Sequence, residues 1–233
     1  MTQLETVPGA DAVLEDLLAG RWSCRAFKHR EVPRDVIERV LALAQRSPSW
    51  CNTQPWGVIV TSGQGTERFR SALAAHARSA DFGSRPDFPM PDGYYGIYRD
   101  RRRECGWQLY DAVGVARGDR EASARQAFKN FELFGAPHAA IITTDTGHNV
   151  YGAVDAGLYV GAFLLAAQSL GLGAIPQAAI ARCSPFVRDF FGIPDDRRVL
   201  LGISFGYPDR DDPANSFRTN RAPLSEAAQW VDQ

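Results

Sequence analysis

The sequence predicts a single layered domain in which helices cover both faces of one β-sheet. Two kinds of segment alternate along the chain: some repeat apolar residues at helical spacing, others are short runs rich in β-branched residues. With 233 residues, 45% of them hydrophobic and 23% charged, the chain can bury one substantial core. From Ala156 to Ala181 no residue is charged, and the glycines and proline inside that stretch favour a buried helix, a turn and a strand over a membrane span.

Taken in order, ADAVLEDLLAG (10–20) reads as a short opening helix, and PRDVIERVLALAQRS (33–47) as a strong one. Pro33 suits the first turn of the latter, while Val36, Ile37, Val40, Leu41 and Ala44 share one apolar face. WGVIVTS (56–62) is a buried strand, and residues 64–79, 104–117 and 119–134 are helical. PHAAIITTD (137–145) is a second strand, followed by a long buried helix over 152–171 whose Gly157 and Gly161 would let another helix approach closely. GAIPQAAI (173–180) is a third strand or extended turn, SPFVRDFFG (184–192) a short helix closed by glycine, and RRVLLGISFGYP (197–208) the fourth strand.

Two segments fall outside the alternation. Residues 82–103, FGSRPDFPMPDGYYGIYRDRRR, are rich in proline, glycine and aromatics and too long for a simple connection, which marks a gate or binding wall. The tail, residues 208–233, is polar and extended before a last helical turn at Ser225 and Glu226. Such a tail cannot build a core alone, so it lies across the rest of the fold or reaches a partner subunit.

Composition excludes several classes. A formal net charge of −1 offers no global field for nucleic acid or an anionic membrane. Cys24, Cys51, Cys105 and Cys183 have no metal-ligand or C-x-x-C spacing, and with no signal-peptide pattern at the start this implies a reduced, cytoplasmic setting. His29, His76, His138 and His148 are isolated, so no metal is expected. G-x-S-x-G, H-E-x-x-H, the phosphate-loop motif and a complete G-x-G-x-x-G are all missing, and no nucleophile stands out.

What the chain does offer is donors for anions and ring edges. Its basic charge is almost all arginine, Lys28 and Lys129 being the only lysines. In an extended RWSCR, Arg21, Ser23 and Arg25 point the same way and form one donor-rich face, suited to a phosphate with hydroxyl-bearing attachments. SPSWCNTQPW (47–56) places two tryptophans, a cysteine and the amides Asn52 and Gln54 in a turn that its two prolines keep from being a helix. A flat, partly apolar group would pack against such a turn. Bland readings stand beside these: Ser23 as a turn residue, Asn52 and Gln54 bonded to their own loop, the arginines as surface ion-pair partners.

RWSCRAF, SPSWCNTQPW, NFELFGAP, GLGAIPQ and GYPDRDDPANSFRTNRAPL, in that order over nearly the whole chain, resemble the FMN-dependent nitroreductase family. The resemblance implies an α+β fold, a three-layer α/β/α sandwich with a mixed, mostly antiparallel sheet, and a homodimer with FMN in clefts at the interface. By position, Arg21, Ser23 and Arg25 would hold the flavin's phosphate, ribityl chain and pyrimidine edge, with Arg221 at the phosphate and Arg218 a weaker match. Pro48, Ser49, Asn52 and Gln54 would come from the other subunit. Asn130 would read the ring edge, while Pro176, Gln177 and Ala178 would line the ring. The implied activity is ping-pong hydride transfer from NADH or NADPH to nitroaromatic or quinone acceptors, small planar aromatics, without a side-chain acid or base. Tyr94, Tyr95 and Tyr98, with Phe128 and Phe131, are candidates for an outer wall. Same-fold reactions (dehalogenation, ring oxidation, flavin breakdown) and a non-catalytic flavin carrier are the alternatives.

Overall fold

The structure is a computed structural model that describes residues 7, 9–80 and 82–232. Its helices are α1 (Ala10–Gly20), α2 (Arg34–Ala44), α3 (Gln64–Arg78), α4 (Gly96–Ala112), α5 (Arg120–Phe128), α6 (Asn149–Ser169), α7 (Ala178–Ala181) and α8 (Ser184–Phe191). The strands are β1 (Trp56–Thr61), β2 (His138–Asp145), β3 (Gly173–Gln177) and β4 (Arg197–Gly206). They form one sheet in the order β1-β2-β4-β3, every named pair antiparallel. Among the described residues, a parallel element enters only where Ser23 bridges to Ala174 at the β3 edge. Helices with a mostly antiparallel sheet between them are the α+β sandwich that the resemblance implies.

Strand alternation builds two cores. On β2, Ala140 and Ile142 join the cluster under α2 and α6, with Trp56, Tyr159 and Phe163; Ala139 and Ile141 join the cluster under α3 and α8, with Phe69, Leu73 and Val187. A bulge shifts the β2–β4 register, Ile142 facing Leu201 but Thr143 facing Val199. That extra residue reverses the pleat, so Val199 lies in the α3/α8 core while Ile203 and Phe205 lie in the α2/α6 core. α2 buries Ile37, Val40 and Ala44 of its expected apolar face, with Val36 and Leu41 packed at its margin.

By length and composition α6 is apolar enough to cross a bilayer, yet Ala156, Tyr159, Phe163 and Ala167 are core residues here and Asp155 is buried among them. Its outer face leaves Val150, Tyr151, Val154 and Leu158 exposed.

The segment at 82–103 divides. Asp87 accepts from Arg188 Nη1 at 2.8 Å and from the Val199 N–H at 2.7 Å, and Arg85 N donates to Arg182 O at 2.9 Å, so the first part is strapped onto α8 and β4. Residues 96–103, expected to be part of an irregular gate, are already the first turns of α4. No residue of α4 is buried, so the helix carries no amphipathic pattern from which its start could be read.

Candidate active site

RWSCR is extended because Trp22 and Cys24 face inward, 9% and 0% exposed, which leaves Arg21, Ser23 and Arg25 on the outer side. The segment runs along β3, with Cys24 N donating to Ala174 O at 3.2 Å. That approach requires Gly173: a Cβ there would stand 2.7 Å from Cys24 Sγ and 2.9 Å from Cys24 Cβ.

The far end of the chain is bound to the same segment. Asn215, 3% exposed, accepts from Arg25 N at 2.8 Å and donates through Nδ2 to Ala26 O at 2.9 Å and Asp209 O at 2.6 Å. This amide brings Arg221 to Arg21. Both Arg21 and Arg25 have pKa values below the usual arginine range, mainly through burial; for Arg21 the neighbouring Arg221 guanidinium adds to it. Among the described residues, no carboxylate forms an ion pair with Arg21, Arg25 or Arg221. Like charges held together without an ion-pair partner can take up an anion, and a phosphate fits that donor set. Both tail arginines donate to their own segment, Arg218 to Asn215 O and Phe217 O and Arg221 to Thr219 and Asn220 O; what sets Arg218 apart is that its guanidinium lies 4.1 Å over the Trp22 ring.

Beside this cluster is a cavity of about 250 Å³ between β3, α4 and α5. Ser23 and Arg25 line it, as do Asn130, Pro176, Gln177 and Ala178, so six of the residues expected at the cofactor share one wall system. NFELFGAP shapes the back of it: Leu133, Phe134 and Gly135 have φ of 55°, 51° and 72°, a left-handed stretch that turns Phe134 into the lining. Strain of this kind clusters at functional sites and persists where packing over-determines it. The Gln177 side chain does not project into the cavity as a free ring contact. It is 2% exposed, with Oε1 accepting from Ser204 Oγ and Nε2 donating to Asn130 O and Oδ1 at 2.9 and 3.3 Å.

Leu109, Tyr110, Gln126 and Ala127 also line the cavity and were not anticipated from the sequence. Gln126 was detectable in principle, because in the helix expected over 119–134 it stands one turn before Asn130; the structure ends that helix at Phe128. Gln126 is 6% exposed and its Nε2 has no hydrogen-bond partner among the described residues.

Pro48, Ser49, Asn52 and Gln54 do not line this cavity. They sit at the α2–β1 turn, held to α6 by Trp50 N, which donates to both carboxylate oxygens of Asp155 at 3.2 Å. Ser49 Oγ accepts from Gln54 N at 2.9 Å, and Gln54 also bonds Asn52 O and Gln45, so the turn is internally braced. Cys51, Asn52 and Gln54 all have positive φ, and Asn52 and Gln54 remain exposed beside the open α6 face.

Comparison with known proteins supplies an independent frame. The profile describing the nitroreductase family matches residues 18–207. Nitroreductase NfnB of Mycolicibacterium smegmatis is 36% identical over 97% of this chain and 97% of its own. A 4-nitrobenzoate reductase of Nocardioides is 32% identical over 98% of this chain and 93% of its own. The crystal structure of the FMN-dependent nitroreductase NfnB from Mycobacterium smegmatis in complex with NADPH superposes with a TM-score of 0.89 at 34% identity, covering 95% of this chain and 99% of that one. That of the FMN and NADPH-dependent nitroreductase NfnB from a Sphingopyxis strain also gives 0.89, at 30% identity over 94% and 99%. Fold and family profile agree, and this chain belongs to the nitroreductase family.

Proposed function

We propose that the chain is an FMN-dependent oxidoreductase that draws electrons from NADH or NADPH and passes them in ping-pong order to nitroaromatic or quinone acceptors. The observation that carries this reading is the trio Arg21, Arg25 and Arg221, without carboxylate partners, beside the cavity floored by Ser23 and β3. The relatives named above, which reduce nitro compounds or depend on FMN and NADPH, support it.

When bound, FMN supplies the hydride chemistry. The protein's part is to bind, orient and polarise. Guanidinium groups from both chain ends hold the phosphate, and Ser23 offers a hydroxyl to the ribityl chain. Arg25, partly buried and uncompensated, puts fixed positive charge where negative charge develops, which is worth more in a site shielded from water. Pro176 and Ala178 form the flat side of the slot, and the Ser204–Gln177–Asn130 chain of hydrogen bonds holds Asn130 in place.

The site is completed in a homodimer. Pro48, Ser49, Asn52 and Gln54 are contributed by the partner copy, docked through the exposed α6 face with Trp50, Tyr151, Val154 and Leu158. The end of the tail, where Leu224, Trp230 and Val231 are 71%, 80% and 80% exposed, reaches across to that partner. Residues 82–103 act as the gate, with Tyr94, Tyr95 and Tyr98 exposed at its free end. With all four cysteines free, the enzyme works in the reduced cytoplasm.

One experiment tests the whole reading. The purified protein is expected to show a flavin spectrum, to bleach anaerobically with NADH or NADPH, and to recolour on adding 4-nitrobenzoate, nitrobenzene or a quinone. A yellow protein inert to both nucleotides would overturn the reductase reading, and a colourless one that ignores added FMN would overturn the cofactor.

A further inference from the structure

Arg221 takes its place from its own segment. Its Nη1 donates to Thr219 Oγ1 and to Asn220 O, each at 2.9 Å, so the guanidinium goes where residues 219 and 220 are held. Those residues are tied to α4. Asn220 Nδ2 donates to Glu104 Oε1 at 2.6 Å, and beyond Arg221 in the tail Arg101 Nη2 donates to Glu226 Oε2 at 2.6 Å. Arg101 and Glu104, three residues apart, lie on one side of α4, and with Arg221 and Glu226 they line a cavity of about 360 Å³ between that helix and the tail. Earlier in the tail, Asn215 and the Arg218 guanidinium over Trp22 fix it to RWSCR. Arg221 is thus placed between two anchors, one on the segment that carries Arg21 and one on a helix that buries no residue of its own.

We propose that Arg101 and Glu104 are positioning residues for the cofactor phosphate: they clamp the tail to α4 on both sides of Arg221 and so hold its guanidinium beside Arg21. The inference rests on the FMN reading above. Neither residue touches the phosphate, and both act through the tail. The clamp also joins the segment expected as a gate, which contains Arg101, to a donor for the phosphate.

The variant Arg101→Ala/Glu104→Ala removes both links and leaves the net charge unchanged. Exposed charged links are weak singly, so losing the two together is expected to raise the FMN dissociation constant about three- to tenfold. In an Arg221→Ala background the same pair of substitutions is expected to change the constant less than twofold, because the group they position is gone. Glu104→Gln alone, which keeps an acceptor for Asn220, is expected to weaken binding by less than twofold. Each constant is read by quenching of flavin fluorescence on titrating flavin-free protein. A double variant within twofold of the parent would overturn the proposal. So would a double variant that loses as much affinity without Arg221 as with it, since that is the mark of a general packing role. The parent titration keeps the two hypotheses apart: a parent that takes up no FMN defeats the cofactor reading itself, whereas equal binding by parent and double variant defeats this inference alone.

Discussion

Arg21, at the end of the first helix, and Arg221, near the close of the chain, are brought so close that the second guanidinium helps burial hold the first below the usual arginine range. Among the described residues neither forms an ion pair with a carboxylate, and the link that brings them together is the Asn215 amide.

Replacing both with alanine is therefore expected to weaken FMN binding by at least a hundredfold, since hydrogen bonds to charged groups contribute about 1.5–3 kcal/mol each. The flavin-free double variant should unfold at about the same urea concentration as the parent, because mutual repulsion is removed and the bonds lost by Arg221, to Thr219 and Asn220, are exposed and local. Fluorescence titration and urea unfolding check the two halves, and FMN affinity of the parent should fall with salt while the double variant loses most of that dependence.

Gly173→Ala is expected to act on the same site from beneath. The added methyl meets Cys24 Sγ and Cβ at under 3 Å, in a position where Cys24 is fully buried. Overpacking of this kind costs about 1–3 kcal/mol and pushes RWSCR away from β3. Both the unfolding midpoint and FMN affinity should drop, in contrast to the arginine variants, which affect only the latter.

His138 gives the fold a pH dependence. It is 1% exposed, its Nε2 accepts from Val32 N at 2.9 Å and its Nδ1 faces Thr61 O at 3.2 Å, so the neutral ring with the proton on Nδ1 satisfies both contacts. Burial depresses its pKa below the ordinary 6.5. Between the depressed value and 6.5 the unfolded chain binds the extra proton and the folded one does not, so stability is complete above about 6.5 and declines as the pH falls below it. Urea unfolding at pH 7.5 and pH 5.5 should show this loss. His138→Ala should remove much of that slope and cost about 2–4 kcal/mol at pH 7.5 through a cavity and an unpaired Val32 N–H.

Asp155 ties the Trp50 turn to α6 from a site that is 5% exposed. Asp155→Ala is expected to cost about 1.5–3 kcal/mol in urea unfolding, the worth of hydrogen bonds to a charged acceptor. The turn would lose its anchor, so size-exclusion chromatography with light scattering should also show a weaker dimer, with FMN released on dilution.

Asp87 tests the strap of the gate. Its carboxylate, 9% exposed, holds Arg188 and the Val199 N–H. Asp87→Ala should cost about 1–3 kcal/mol and speed proteolytic cleavage within 82–95, with the rest of the chain as resistant as before.

Much of the framework was legible because it is written in near neighbours. The apolar spacing of α2, the β-branched run of β1 and the glycine closing α8 each show within a dozen residues. The start of α4 was not legible: Gly96 to Arg103 buries nothing, so no periodic face marks those turns. The divided β4 face was hidden too, since a bulge leaves no trace in composition.

By itself the sequence determined the order of the four strands and the longer helices, though not α7, which begins at Ala178 inside a segment expected as strand or extended turn, and it also determined the outward alternation of Arg21, Ser23 and Arg25 and, through five ordered motifs, the family. Tertiary structure alone decided what each donor meets. Arg218 and Arg221 stand three positions apart in one tail, yet Arg218 stacks on Trp22 and Arg221 stands by Arg21. Gln126 lies in α5 and Asn130 just beyond its end, yet Gln177 and Ala127 occupy the amide of Asn130 while Nε2 of Gln126 meets no partner among the described residues. Periodicity depends on a residue's neighbours along the chain, whereas a donor's freedom depends on what lies across from it, and in this fold those partners come from distant strands and from the opposite end of the chain.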